Sequence, residues 1–228
     1  MKQLLLLLGL LCTIAYQPSL AADPPPATSA AAAADPSAAK ASGNQTGAAA
    51  KTAAVAKAAP TAPVRVQVVT SLGNFTIELL PERAPLTVEH FLKYVDEGYY
   101  SGMIFHRVIP NFVIQGGGFD TNFKAKGSPT RVVNESGNGL TNLRGTVGFA
   151  RPTEPHAGDV QFYVNLYDNG ALDPNPNRWG YAVFGKVVSG MDVVDKIGNV
   201  ATGAKGPFKE DAPLQTVVIE RIERVATP

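Results

Sequence analysis

Within Phe105-His106-Arg107-Val108-Ile109-Pro110-Asn111-Phe112-Val113-Ile114-Gln115-Gly116-Gly117-Gly118, one Arg and one Gln sit among closely spaced apolar residues. A half-buried strand alternates apolar and polar positions. Here Phe105, Val108, Phe112, Val113 and Ile114 predict a wall buried on at least one side, with Arg107 and Gln115 projecting into it. A guanidinium in such a place must be paired or hydrogen-bonded. Taken alone, Arg107 reads equally well as a barrel arginine satisfied by a carboxylate or as an electrostatic group of a site. Other chemistries find little support. His90 falls in a helix, His156 in a loop, and His106 reads as a packed structural ring with its nitrogens satisfied, so the three His lack metal-ligand spacing. Gly116-Gly117-Gly118 lacks the Gly-Lys-Ser/Thr ending of a phosphate loop and reads as close backbone packing. No Gly-x-Ser-x-Gly element points to a serine hydrolase.

The elements that must position Arg107 and Gln115 occupy only part of the 228 residues. Residues 1–21 carry Lys2, an apolar run 4–11 and Ser19-Leu20-Ala21, the layout of a secretory signal peptide. The run is shorter than the roughly 20 apolar residues that span a bilayer. Leu11 before Cys12 is too bulky for a lipidation site. Cleavage would remove the single cysteine, leaving a fold without disulfides. Residues 22–63 are almost wholly Ala, Pro, Ser, Thr, Gly and Lys, and are predicted to be a disordered tether. The domain is expected over 64–228. Twenty Lys and Arg against 19 Asp and Glu, without a charged block in the domain, argue against nucleic acid or an anionic membrane surface as partner.

In the domain, Val66, Val68 and the run 75–80 predict two strands with a hairpin turn at Leu72-Gly73-Asn74. Pro85 opens an amphipathic helix whose buried face is Val88, Phe91, Leu92 and Val95, closed by Gly98. Short strands are predicted over 104–108, 112–115, 145–150, 160–166 and 182–188, a second helix over 191–197 and a last strand over 216–225. Many short strands, frequent Gly turns and two helices indicate a mostly β chain closed into an antiparallel barrel.

The segment from Phe105-His106-Arg107 to Gln115-Gly116-Gly117 resembles the signature of the cyclophilins, a family of peptidyl-prolyl cis-trans isomerases. Later blocks match in the family's order: Asn134-Glu135-Ser136-Gly137-Asn138-Gly139-Leu140, Arg144-Gly145-Thr146-Val147-Gly148-Phe149-Ala150, Gln161-Phe162-Tyr163-Val164 and Tyr181-Ala182-Val183-Phe184-Gly185-Lys186-Val187. The resemblance covers nearly all of 66–225 and is strongest to bacterial periplasmic members. It implies an eight-stranded antiparallel barrel capped by two helices, and an isomerase that needs no cofactor and no metal. Its implied partners are proline-containing peptides and unfolded exported proteins in the periplasm, with the chain acting as a monomer. By the same resemblance Arg107 is the electrostatic group and Gln115 orients the substrate or Arg107. Phe112, Val113, Tyr163 and Leu172 form the proline pocket, and Ala150 and Arg151, with Gln161 and Tyr181, complete the peptide site. Two departures, Val113 for Met and Tyr163 for Phe, keep an apolar wall, although the Tyr hydroxyl needs a partner.

Ala171 stands where many eukaryotic members have Trp and bacterial ones often Phe, which argues against high-affinity cyclosporin binding. Tyr181 replaces a His of eukaryotic members. Trp179, in the polar loop 173–180, is expected either to fold over the pocket rim or to pin its loop to the barrel. Two other functional classes stay open: a proline-binding module or holdase without turnover, and an envelope protein in which the tether is the point.

Overall fold

The computed structural model describes residues 63–225. The expected signal peptide and all of the expected tether but Pro63 lie outside the described residues. Among the described residues there are ten strands: β1 (Arg65–Thr70), β2 (Gly73–Leu79), β3 (Met103–Ile109), β4 (Val113–Asp120), β5 (Thr146–Phe149), β6 (Phe162–Asn165), β7 (Val183–Ser189), β8 (Thr202–Lys205), β9 (Phe208–Pro213) and β10 (Val217–Val225). Eight of them close an antiparallel barrel in the order β1-β10-β3-β4-β6-β5-β7-β2, with β2 returning to β1. The helices are α1 (Pro85–Asp96) and α2 (Met191–Gly198). The expected eight-stranded barrel with two helices is therefore the observed one.

Alternation sorts the strands into an inner and an outer face. Val66 faces Ile77 and Val68 faces Phe75 across β1 and β2, and all four are buried in the main core. Helix α1 starts at Pro85, where a missing N–H costs nothing. Its first amides are capped from a distance: the Glu135 carboxylate accepts hydrogen bonds from the Leu86 and Thr87 amides at 3.1 and 2.8 Å and from Thr87 Oγ1 at 2.7 Å. Phe91 on its inner face meets the rings of Tyr100, Phe162 and Phe184 at 5.3, 5.7 and 5.2 Å. Helix α2 buries Val194 and Ile197 and packs Gly198 against Leu166.

Two local features differ from the sequence reading. The β1–β2 turn is Ser71-Leu72, one residue earlier than Leu72-Gly73-Asn74, because the Thr70 hydroxyl closes it, accepting from the Leu72 amide and donating to the Gly73 carbonyl. The second concerns 202–213, which forms the β8–β9 hairpin, a two-stranded unit apart from the barrel sheet. Its sequence is Gly- and Pro-rich with a single large apolar side chain, Phe208, so it shows no strand period. Tertiary packing supplies what propensity lacks. Phe208 lies on the His106 ring of β3 with centroids 5.4 Å apart and planes 26° apart, and meets Phe119 edge-on at 4.9 Å.

His106 is packed as expected, with 3% of its surface exposed, but its nitrogens are not all satisfied: Nδ1 has no hydrogen-bond partner among the described residues. Burial pushes the ring down to about 4, against a smaller upward pull from the Ile104 backbone. The unfolded chain titrates near 6.5, so between pH 6.5 and 4 it binds a proton that the fold excludes, and stability falls as pH falls through that window. The loss amounts to about 3 kcal/mol between the two limits. His90 is shifted down as well, mainly by burial, so the difference between wild type and His106→Phe isolates His106. Urea midpoints of that variant are expected to fall less between pH 7 and pH 5 than those of wild type; parallel curves would show that the His106 ring carries its proton in the fold.

Candidate active site

Arg107, Gln115 and Tyr163 lie side by side across three neighbouring strands, since Arg107 pairs with Gln115 from β3 to β4 and Gln115 with Tyr163 from β4 to β6. A β-bulge puts Arg107 in that row. Phe105 pairs with Gly116 and Arg107 with Gln115, so β3 carries one extra residue there. Phe105 and Val108 turn into the main core, while the adjacent His106 and Arg107 both meet residues outside it. In β4, Ile114 belongs to the main core and Val113 to a second apolar cluster. The expected wall thus divides between two faces: Phe105, Val108 and Ile114 fill the barrel, and Phe112 and Val113 line its outside.

That second cluster consists of Val113, Ala150 and Tyr163, with Phe112, Leu172 and Tyr181 packed against it. All six were expected at the site from the sequence. The Tyr163 ring crosses Gly148 of β5, its direct cross-strand partner, where a Cβ would stand 2.1 Å from Tyr163 Cζ. Gly116 and Gly118 likewise leave room for Phe105 and Gln161.

Arg107 is not a buried barrel arginine, because its side chain is 41% exposed. Its Nη1 donates to Gln115 Oε1 at 3.5 Å, and Gln115 Nε2 donates to Gln161 Oε1 at 3.0 Å. Asp211 Oδ2, on the β8–β9 hairpin, lies 3.6 Å from Arg107 Nε. Gln115, Gln161, Ala150 and Arg151 line an adjoining cavity of about 300 Å³ that also takes in Arg131 and Asp159, an ion pair at 3.0 Å. The Arg151 guanidinium lies 4.5 Å over the Tyr181 ring and donates to the carbonyls of Pro152, Thr153, Trp179 and Gly180. It braces two loops beside the cluster. Trp179 is 48% exposed, meets His156 edge-on at 5.1 Å and lines a separate cleft with Ser136 and Pro174. A larger cleft, about 620 Å³, runs along α1 between Pro81 and Arg224 and shares no residue with the site. Among the described residues no group of His, Cys, Asp or Glu could hold a metal ion.

Beneath the cluster lies a polar network that the sequence reading did not assign. Burial pushes the Tyr163 hydroxyl well above the usual phenol range, so it stays protonated and donates to Asn142 Oδ1 at 2.6 Å. Asn142 in turn donates from its amide and from Nδ2 to Asp173 Oδ1, and Asn165 Nδ2 donates to Asn142 Oδ1. Asn169 links Asn165 to the Phe112 carbonyl. These bonds tie the Phe112 loop, β6 and the 3-10 turn Gly170–Leu172 to one another. Three Asn beside apolar runs were the only available signal, and Asn is ordinary at strand ends and turns.

Truncation of Asn142 leaves Tyr163 Oη without its partner and takes the Nδ2 bond from Asp173 Oδ1, which keeps only the bond from the Asn142 amide. Asn142→Ala is therefore expected to cost about 2–3 kcal/mol, and Tyr163→Phe, which leaves Asn142 Oδ1 its bond from Asn165, only about 1 kcal/mol. Urea unfolding of both variants checks the order; equal small losses would mean that the network contributes nothing to stability.

The cyclophilin type peptidyl-prolyl cis-trans isomerase/CLD family profile matches residues 65–224. A peptidyl-prolyl cis-trans isomerase of Acinetobacter baylyi is 48% identical over 158 residues, which cover 69% of this chain and 84% of that protein. Peptidyl-prolyl cis-trans isomerase B of Escherichia coli is 46% identical over 156 residues, 67% of this chain and 94% of that protein. The fold matches that of a cyclophilin type peptidyl-prolyl cis-trans isomerase of Cryptosporidium parvum with a TM-score of 0.60 at 23% identity, over 73% of this chain and 99% of that one. The same parasite protein has been solved in the presence of the dipeptide Ala-Pro. With the profile spanning the whole barrel, and bacterial relatives nearly half identical over most of their length, this chain belongs to the cyclophilin-type peptidyl-prolyl cis-trans isomerases.

Proposed function

We propose that this isomerase turns exposed X-Pro bonds of exported proteins as they fold, using Arg107 as its electrostatic group. The barrier it faces is about 18–20 kcal/mol, because amide resonance is lost as the C–N bond twists. A catalyst lowers it by favouring the pyramidal imide nitrogen of the twisted form. The observation that carries the reading is the row Arg107, Gln115, Tyr163 on the outer face of the barrel, which sets a guanidinium beside a walled apolar cluster. In this reading the cluster of Phe112, Val113, Tyr163 and Leu172 receives the prolyl ring and excludes water from it. Arg107 Nη2, which has no hydrogen-bond partner among the described residues, is directed at the prolyl group. Gln115, bonded to both Arg107 and Gln161, keeps the guanidinium beside the pocket. Ala150, Arg151, Gln161 and Tyr181 flank the rest of the peptide. A protein that only bound proline would need the cluster but not the guanidinium.

The N-terminal layout supports export to the periplasm, with 1–21 removed and 22–63 serving as a tether. Chains arrive there unfolded, and slow X-Pro isomerisation gives such a catalyst its task.

Exchange NMR on an X-Pro peptide tests the assignment. A charge-assisted hydrogen bond contributes about 1.5–3 kcal/mol, so folded Arg107→Ala is expected to lose at least about tenfold in rate. Equal rates would remove Arg107 from the mechanism, and no catalysis by folded wild type would leave a binding module. The mass of protein recovered from the periplasm is expected to correspond to a chain beginning at Ala22; an intact Met1 would overturn cleavage.

A further inference from the structure

We propose that Asp211, on the β8–β9 hairpin outside the barrel, is a positioning residue for Arg107; this rests on the isomerase reading above. The bulge in β3 turns two consecutive side chains, His106 and Arg107, out of the main core, and strand β9 meets both. Phe208 stacks on His106, and three residues further along Asp211 brings its carboxylate to Arg107 Nε. The hairpin is thus docked through Phe208 and reaches the guanidinium through Asp211.

Asp211 holds a backbone φ of +62°, in the left-handed region that side chains other than glycine seldom occupy. Such a conformation persists only where surrounding structure imposes it. Here the residues that follow, Ala212 and Pro213, are buried and paired with Gly203 and Thr202 of β8.

An arginine side chain has a long flexible stem, and one contact fixes only one edge of its guanidinium. Gln115 takes Nη1 at 3.5 Å and Asp211 faces Nε at 3.6 Å, so two edges are held while Nη2 stays available. Asp211 is the only carboxylate paired with Arg107 among the described residues. The two side chains are 41% and 32% exposed, and a pair so open to solvent contributes little to global stability. Its effect belongs to the orientation of the guanidinium, and orientation errors far smaller than a residue cost rate.

Two substitutions test this in the full chain. Asp211→Asn keeps the shape and tolerates the left-handed backbone, and Asp211→Gly removes the side chain at a φ that glycine adopts without strain. Both are expected to lower kcat for an X-Pro peptide about three- to tenfold with KM within about twofold. Melting temperatures should stay within about 2 °C of wild type. In an Arg107→Ala background the same changes should have no further effect on rate. Unchanged kcat in both variants overturns the proposal. So does an equal loss with and without Arg107, which would make the hairpin merely structural. Failure of the underlying reading shows separately, as full activity of Arg107→Ala alone.

Discussion

A β-strand sends successive side chains to opposite faces, so a regular β3 would turn Arg107 to the same side as Phe105, into the interior of the barrel. There the guanidinium would need a buried partner and full hydrogen bonding to offset its lost hydration. The extra residue in β3 opposite Gly116 and Gln115 removes the conflict. Phe105 and Val108 keep their places inside, and Arg107 emerges beside Gln115. Because β4 pairs with β6 without interruption, the register set at the bulge carries Gln115 to Tyr163, and through β5 to Gly148. That insertion brings Arg107 into the row, and the β4–β6 and β5–β6 pairings set the rest of it.

The barrel separates two kinds of packing. Its interior is an apolar core, closed at α1 by the ring contacts of Phe91. The cluster outside rests on a polar support, in which Asn142, Asn165, Asn169 and Asp173 hydrogen-bond to one another and to the Phe112 carbonyl. Buried amides of this sort are costly unless every partner is in place, and when satisfied they hold a single arrangement. That difference suits the two tasks. Apolar burial is non-directional and secures the barrel, whereas a surface cluster that must keep a defined shape toward a ligand needs directional bonds beneath it.

Residues remote in sequence from the central segment fix its surroundings. Glu135 caps α1, and Asn134 and Asn138 of the same loop bond to the carbonyls of Gly180 and Val183. The β8–β9 hairpin covers His106 and faces Arg107. The site is thus built from the outer wall of a barrel together with a loop and a hairpin whose own sequences have little strand or helix character.

Much of this was legible along the chain. Apolar period marked α1 and its buried face, and eight strands were predicted at their observed places, because each buries a side large enough to leave a pattern; only β4 runs well past its expected end at Gln115, through the glycines 116–118, which leave none. The segment from Phe105 to Gly118, with the blocks after it, identified the family and all six residues of the outer cluster. What remained hidden has a common physical reason. The β1–β2 turn depended on a Thr70 hydroxyl, the hairpin on packing against His106, and the support of Tyr163 on amides from separate loops. None of these leaves a period, since each is a contact between residues that only folding brings together. The sequence by itself determined the barrel, its family and the side chains at the site. Which face Phe112 and Val113 occupy, what holds the Tyr163 hydroxyl, and that a carboxylate at position 211 stands beside Arg107 were decided by the tertiary structure, because strand register and long-range docking set the neighbours of a side chain.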